Sequence, residues 1–157
     1  VLREAVVILL NGPSGVGKTT VGRLLAARAQ SGACVHGDDL RNFVVSRSDE
    51  VELGLGYVNA ATVAANFVRA GYERVVVDHV FEHPRHVTRF VDAFDVDADL
   101  HVVTLWASRD ALAARGGSLE GHARMERALA ELGDVVDTSG LSPEEVADAI
   151  EGAVVQA

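Results

Sequence analysis

The chain contains one lysine, Lys18, against thirteen arginines. It falls in Gly12-Pro13-Ser14-Gly15-Val16-Gly17-Lys18-Thr19, which satisfies the spacing G-x-x-x-x-G-K-[ST] at every fixed position. Glycines at this spacing let successive backbone N–H groups turn inward and approach phosphate oxygens as an anion nest. A helix opening at Lys18 adds its unpaired N–H groups and the positive end of its dipole. The Lys18 ammonium reaches the β- and γ-phosphates of a nucleotide, where a compact point charge fits and a planar guanidinium does not. The Thr19 hydroxyl is expected to ligate Mg²⁺, and Thr20 to complete the phosphate-contacting set.

A second group of chemistry-bearing residues is acidic. Asp38 and Asp39 follow Val35-His36-Gly37, and Asp78 closes the run Val75-Val76-Val77. A carboxylate at the first place can accept the proton of a hydroxyl under phosphorylation. It can equally cap a helix starting near Leu40. An acid ending a buried strand, as Asp78 does, can hold Mg²⁺ directly or through water, or merely start a turn. Glu82, four residues on, is a candidate substrate contact. His79, His83 and His86 cluster behind Asp78, but their spacing matches no zinc motif and Pro84 is expected to break a helix that would align them.

The elements that must position these groups can be read from periodicity. Ala5 to Leu10 is an apolar run of strand length, followed by turn chemistry and then by a helical stripe of Val21, Leu24, Leu25 and Ala29. Ala33–His36, Arg74–Asp78, Leu100–Trp106 and Val135–Asp137 read as further strands. Helical patterns are expected from about Glu50 to Ala70, from His86 to Phe94, from Ser108 to Arg115, and from Leu119 to Leu132 after a Gly116-Gly117 joint. Ser142-Pro143-Glu144-Glu145 opens the last helix, with Ser142 as N-cap, Pro143 as first helical residue and Glu145 as the reciprocal acid of a capping box. Strands alternating with helices argue for an α/β three-layer fold, a five-stranded and mainly parallel sheet with helices on both faces. Ligands of such a sheet bind beyond the carboxyl ends of its strands, where the acids stand.

Composition narrows the rest. The 157 residues suit one domain, 1–157, with a full core. The net charge of −9 argues against a nucleic-acid partner, including a polynucleotide end that would need a basic channel. The apolar runs are too short to span a bilayer. Cys34 is the only cysteine, and with no cleavage-site pattern near Arg3 and Glu4 the chain is expected to be cytoplasmic. Cys34 and Trp106 read as core. A GTPase would need an N-K-x-D guanine reader, which a chain without lysine after position 18 lacks. No transporter-type ATPase signature is present, and the chain is too short for helicase or AAA+ additions.

With the P-loop and strand-end acids in place, the sequence resembles the small P-loop kinases of metabolites and nucleotides: shikimate, gluconate and adenylylsulfate kinases and the chloramphenicol phosphotransferase-like enzymes. Gly37-Asp38-Asp39-Leu40-Arg41 is similar to the G-D-x-x-R that follows the second strand of adenylylsulfate kinases. The resemblance implies Asp38 as hydroxyl-orienting base, Asp39 beside it, and Arg41 as a contact to an anionic or polar substrate. Tyr57, Asn59 and Asn66 fall where family members contact the acceptor, and Gly54-x-Gly56 reads as a bend there or as poor helix.

Residues 108–127 resemble a short lid whose arginines close over the phosphates. Arg115 is the first candidate, then Arg109, with Arg124 and Arg127 as a second pair; a solvated helix paired with Glu120, Glu126 and Glu131 is the alternative. Thr138, Ser139 and Gly140 are implied near an adenine ring. The expectation is an ATP- and Mg²⁺-dependent phosphotransferase acting on a hydroxyl of a small molecule. Lys18, Asp38 and Arg115 are its catalytic groups, Thr19 and Asp78 hold its metal, and Asp78 and Glu82 also line the substrate side. The alternative is a nucleotide-binding switch or slow NTPase acting through a protein partner.

Overall fold

The computed structural model describes residues 4–46 and 54–155. The first apolar run forms β1 (Val6–Asn11), and the phosphate-type loop leads into α1 (Lys18–Ala27). β2 (Gly32–His36) follows, then the short α2 (Gly37–Arg41), α3 (Leu55–Arg69) and β3 (Arg74–Asp78). α4 (Pro84–Ala93), β4 (Asp99–Trp106), α5 (Arg109–Ala114) and α6 (Leu119–Glu126) come next. β5 (Asp134–Asp137) and α7 (Pro143–Val155) complete the order.

All strand pairs are parallel, in the order β2-β3-β1-β4-β5. Strands buried on both faces explain why the sequence shows unbroken valine and leucine runs rather than alternation. On one face Ile8, Leu10, Val76, Val103 and Leu105 pack against Val21 and Leu25 of α1 and Ala147 and Ile150 of α7. On the other, Val7, Leu9, Val75 and Val77 meet Ala60, Ala61 and Ala64 of α3 and Phe90 of α4. The alanine stripe of α3 brings that helix close to the sheet. The helix after β1 and the helix after β3 therefore lie on opposite faces. The crevice between the carboxyl ends of these neighbouring strands is where an open α/β sheet accepts ligands.

Several local expectations shift. The stretch read as helical from Glu50 has its first four residues outside the described region, and α3 begins at Leu55, after Gly54 in the left-handed region at φ 85°. Pro84 does not break the helix behind Asp78; it starts it, as the first helical residue after His83, whose ring accepts the N–H of Arg85. The segment expected to be helical to Leu132 leaves α-geometry after Glu126 and ends in a 3₁₀ turn, Leu129–Glu131. Trp106 is half-buried rather than core and stacks on His122 of α6, ring centroids 4.1 Å apart. Cys34 is half-buried too, with Gly22 of α1 packed over its sulfur, and burial pushes its thiol up to about 11. Among the described residues no helix is long and apolar enough to cross a membrane.

The capping box forms as expected. The Ser142 N–H donates to Glu145 Oε2 at 2.7 Å, and the Glu145 N–H donates to Ser142 Oγ at 3.2 Å. Arg28 holds the same helix to α1 through Asp148 and Glu151. Ser142→Ala is expected to lower unfolding stability by about 1 kcal/mol without changing the m-value, read by urea denaturation.

Candidate active site

The phosphate-type loop is shaped by two crowded glycines. Gly12, buried at φ 150°, leaves no room for a side chain: a Cβ would lie 2.7 Å from the Leu105 carbonyl oxygen and from Val16. Gly15, at φ 91°, faces Gly117 so closely that a Cβ would lie 2.6 Å from the Gly117 Cα. The Ser118 N–H donates to the Ser14 carbonyl at 3.1 Å. The loop thus touches the Gly116-Gly117 joint directly, a contact the sequence did not signal.

Lys18 is the first residue of α1 and only 8% exposed. Its ammonium donates to the carbonyls of Gly12 at 2.8 Å and Pro13 at 3.2 Å. Burial pushes its pKa below the ordinary lysine value, opposed by the charges of Asp78 and Asp38. Val16 is buried and serves packing. Ser14, Gly15, Gly17, Lys18, Thr19 and Thr20 line a cleft of about 370 Å³, together with His36, Asp38, Arg41, Asp78, His79 and Val80.

Asp78 is 1% exposed. Its Oδ2 accepts the Thr19 hydroxyl at 2.8 Å and stands 2.8 Å from His36 Nδ1. This carboxylate and hydroxyl, oxygens facing the phosphate loop, are the donor set Mg²⁺ takes when phosphates and water supply its remaining ligands. The residues fit that ion.

Asp38 and Asp39 lie in the first turn of α2, whose N-cap is His36, so neither acid caps a helix beginning at Leu40. Asp38 projects into the cleft, whereas Asp39 lines neither this cleft nor its neighbour. Arg41 stands 3.8 Å from Asp38. A second cleft, about 700 Å³, is lined by residues including Leu40, Asn42, Leu55, Tyr57, Asn59 and Glu82. Asp38, Arg41, His79 and Val80 line both. The two clefts meet at Asp38.

Asn11 orders the wall between them. Its buried amide accepts the Phe81 N–H at 2.7 Å and donates to the Phe81 carbonyl at 2.9 Å, and it also donates to Thr104 at 3.1 Å. This holds the segment after β3 beside the phosphate loop. The Tyr57 ring lies between His79 (5.0 Å) and His86 (4.9 Å). Its hydroxyl, pushed up to about 12 by burial and then by Glu82, donates to the Val80 carbonyl at 2.9 Å. Tyr57 therefore lines the cleft with its hydroxyl already engaged.

His79, His83 and His86 each accept a backbone N–H at Nδ1, from Val80, Arg85 and Glu82 respectively. Among the described residues, no group of three or more His, Cys, Asp or Glu is arranged to hold a metal ion by itself. Asn66 is exposed and accepts from Arg69, away from the clefts.

Glu82 receives a two-pronged bond from Arg124 of α6, at 2.9 and 3.0 Å. Glu120, one of the acids of the solvated-helix alternative, is 3.9 Å from Arg124 on the exposed side. Arg109 and Arg127 are exposed. Arg115 lines neither cleft; its guanidinium is 3.5 Å from Thr138 Oγ1, at the end of β5. Thr138 is buried and bonded to the Trp106 carbonyl, and the Ser139 N–H donates to Asp137. Arg115 is thereby grouped with the loop after β5 rather than with Lys18.

A family model described as an AAA domain matches residues 7–149, nearly the whole chain. The chain belongs to that family. No functionally curated protein matches the sequence. Among solved structures, the tunicamycin resistance protein of Deinococcus radiodurans is 20% identical at a TM-score of 0.73, covering 96% of each chain. The APS kinase of Mycobacterium tuberculosis, solved with AMPPNP and APS, is 16% identical at 0.72 over 99% of each chain. A gluconokinase of Sinorhizobium meliloti is 18% identical at 0.63, over 99% of this chain and 93% of its own. The fold is that of the small P-loop kinases, as the sequence resemblance implied.

His79 gives the site a measurable signature. It is 9% exposed, and a Cβ on Gly37 would lie 2.5 Å from its ring. Burial pushes its pKa down from 6.5 to about 4, against smaller opposing effects led by Asp38. The folded chain keeps the ring neutral while the unfolded chain takes up a proton, so stability falls as pH drops from about 6.5 through 4. In nucleotide-free protein His79→Gln is expected to flatten that decline, by roughly 3 kcal/mol at its acid end, in urea unfolding across pH.

Proposed function

We propose that this chain is one P-loop kinase-like domain that moves the γ-phosphate of ATP, with Mg²⁺, to a hydroxyl of a small molecule. The observation that carries the reading is the junction of the two clefts at Asp38. A nucleotide seated on the phosphate loop has its terminal phosphate directed at that junction, and an acceptor in the larger cleft approaches it from the other side. The larger cleft has the size of a drug-sized ligand site.

In this reading the glycine-rich loop Gly12–Thr19 with Thr20, through the N–H groups it leaves unbonded, and the Lys18 ammonium hold the phosphates. Lys18 exchanges its two carbonyl partners for phosphate oxygens. Asp38 accepts the acceptor's proton as the new O–P bond forms and the bond between the γ-phosphorus and the β–γ bridging oxygen breaks, releasing ADP. Thr19 and Asp78 would hold Mg²⁺, which would supply charge neutralisation at the phosphate oxygens. Arg41, Tyr57 and Glu82 orient the acceptor, with Asp39 at the margin. Residues 108–127 act as a short lid. Thr138 and Ser139 border the base, and Arg115 beside them swings its charge inward only on closure. The lone, half-buried thiol fits a cytoplasmic setting.

The test is to incubate the protein with ATP and Mg²⁺ and a panel of hydroxyl metabolites, nucleosides and antibiotics, reading added phosphate by mass. At least one acceptor is expected to gain one phosphate. Asp38→Asn is expected to lower kcat for that acceptor by about 100-fold or more while nucleotide affinity stays near the parent's. Lys18→Ala is expected to lose nucleotide binding itself. ATP hydrolysis that no acceptor alters would instead favour a switch or slow NTPase.

A further inference from the structure

We infer that His36 is a positioning residue that acts on the metal-bearing side of the site through Asp78. This rests on the reading of Thr19 and Asp78 as the oxygens beside Mg²⁺. His36 ends β2, and in the sheet register it is the direct partner of Asp78 at the end of β3. Its Nδ1 lies 2.8 Å from Asp78 Oδ2, the same oxygen that accepts the Thr19 hydroxyl at 2.8 Å.

A carboxylate oxygen already accepting one hydrogen bond can offer Nδ1 only another acceptor site, so Nδ1 carries the proton. One donor leaves a carboxylate free to rotate about its last bond. Two donors from different elements, the start of α1 and the end of β2, fix the plane of the group and share the cost of burying its charge. Loss of a hydrogen-bond partner of this outer kind typically costs about 10–100-fold in metal affinity. The other ring nitrogen, Nε2, stands 3.8 Å from Asp38 Oδ2, beyond hydrogen-bond reach. His36 is therefore tied to Asp78 and not to Asp38.

The side-chain amide of asparagine places a donor where Nδ1 sits, whereas that of glutamine places one near Nε2. The experiment is a Mg²⁺ titration of the affinity for a fluorescent ATP analogue, methylanthraniloyl-ATP, with a parallel measurement in EDTA, on the parent, His36→Ala, His36→Gln and His36→Asn. The Ala and Gln variants are expected to need about tenfold more Mg²⁺ at the midpoint, with affinity in EDTA unchanged. The Asn variant is expected to stay within about threefold of the parent. Parental midpoints in Ala and Gln, an Asn variant as impaired as Gln, or an equal loss of affinity in EDTA would each overturn the role of His36. A parent whose nucleotide affinity ignores Mg²⁺ would instead remove the metal reading itself, and this inference with it. Should the Ala variant fail to fold, the Asn and Gln pair decides the matter alone.

Discussion

One buried carboxylate oxygen holds the centre of this molecule together. Asp78 Oδ2 collects the hydroxyl of Thr19 and the imidazole of His36, and so joins the start of α1 to the ends of β2 and β3. A carboxylate removed from water is costly unless its lone pairs are met by donors. Here meeting them requires three separated stretches of chain to converge. The nearby Lys18 charge depends on the same arrangement, since burial lowers its pKa and Asp78 leads the opposing effect. Without that acid the buried ammonium would keep only the carbonyls of Gly12 and Pro13 and the charge of Asp38.

The larger cleft is arranged by a second, neutral device. The Asn11 amide pairs with both backbone groups of Phe81, which places His79, Val80 and Glu82 at a set height above the sheet. Tyr57 then braces the same segment from α3 through the Val80 carbonyl. Glu82 carries the connection outward to α6 through the Arg124 fork, and Gly117 carries another from the phosphate loop. The segment 108–127 thus contacts both clefts' surroundings at once.

What could be read from the sequence was what lies contiguous in it. The phosphate loop, the buried strands and the Ser142–Glu145 capping box depend on neighbours a few residues apart, and each is found where the spacing put it. Contacts that need the sheet order were beyond reach. His36 looked like the end of a short strand because its partner is 42 residues away, and Glu82 gave no sign of Arg124 at an equal separation. Pro84 was misjudged because proline stops a helix from inside and starts one at its first position; only the path of the chain distinguishes the two. Arg115 belongs with Thr138 for a similar reason, as β4 and β5 must pair before those residues meet.

The stack of Trp106 on His122 has a practical side. Trp106 is the chain's sole indole, fixed at the end of β4, while His122 rides on α6. The protein therefore contains its own optical gauge: excited at the red edge, where its tyrosines do not absorb, it emits from one ring whose stacked partner sits on the segment beside the phosphate-type loop.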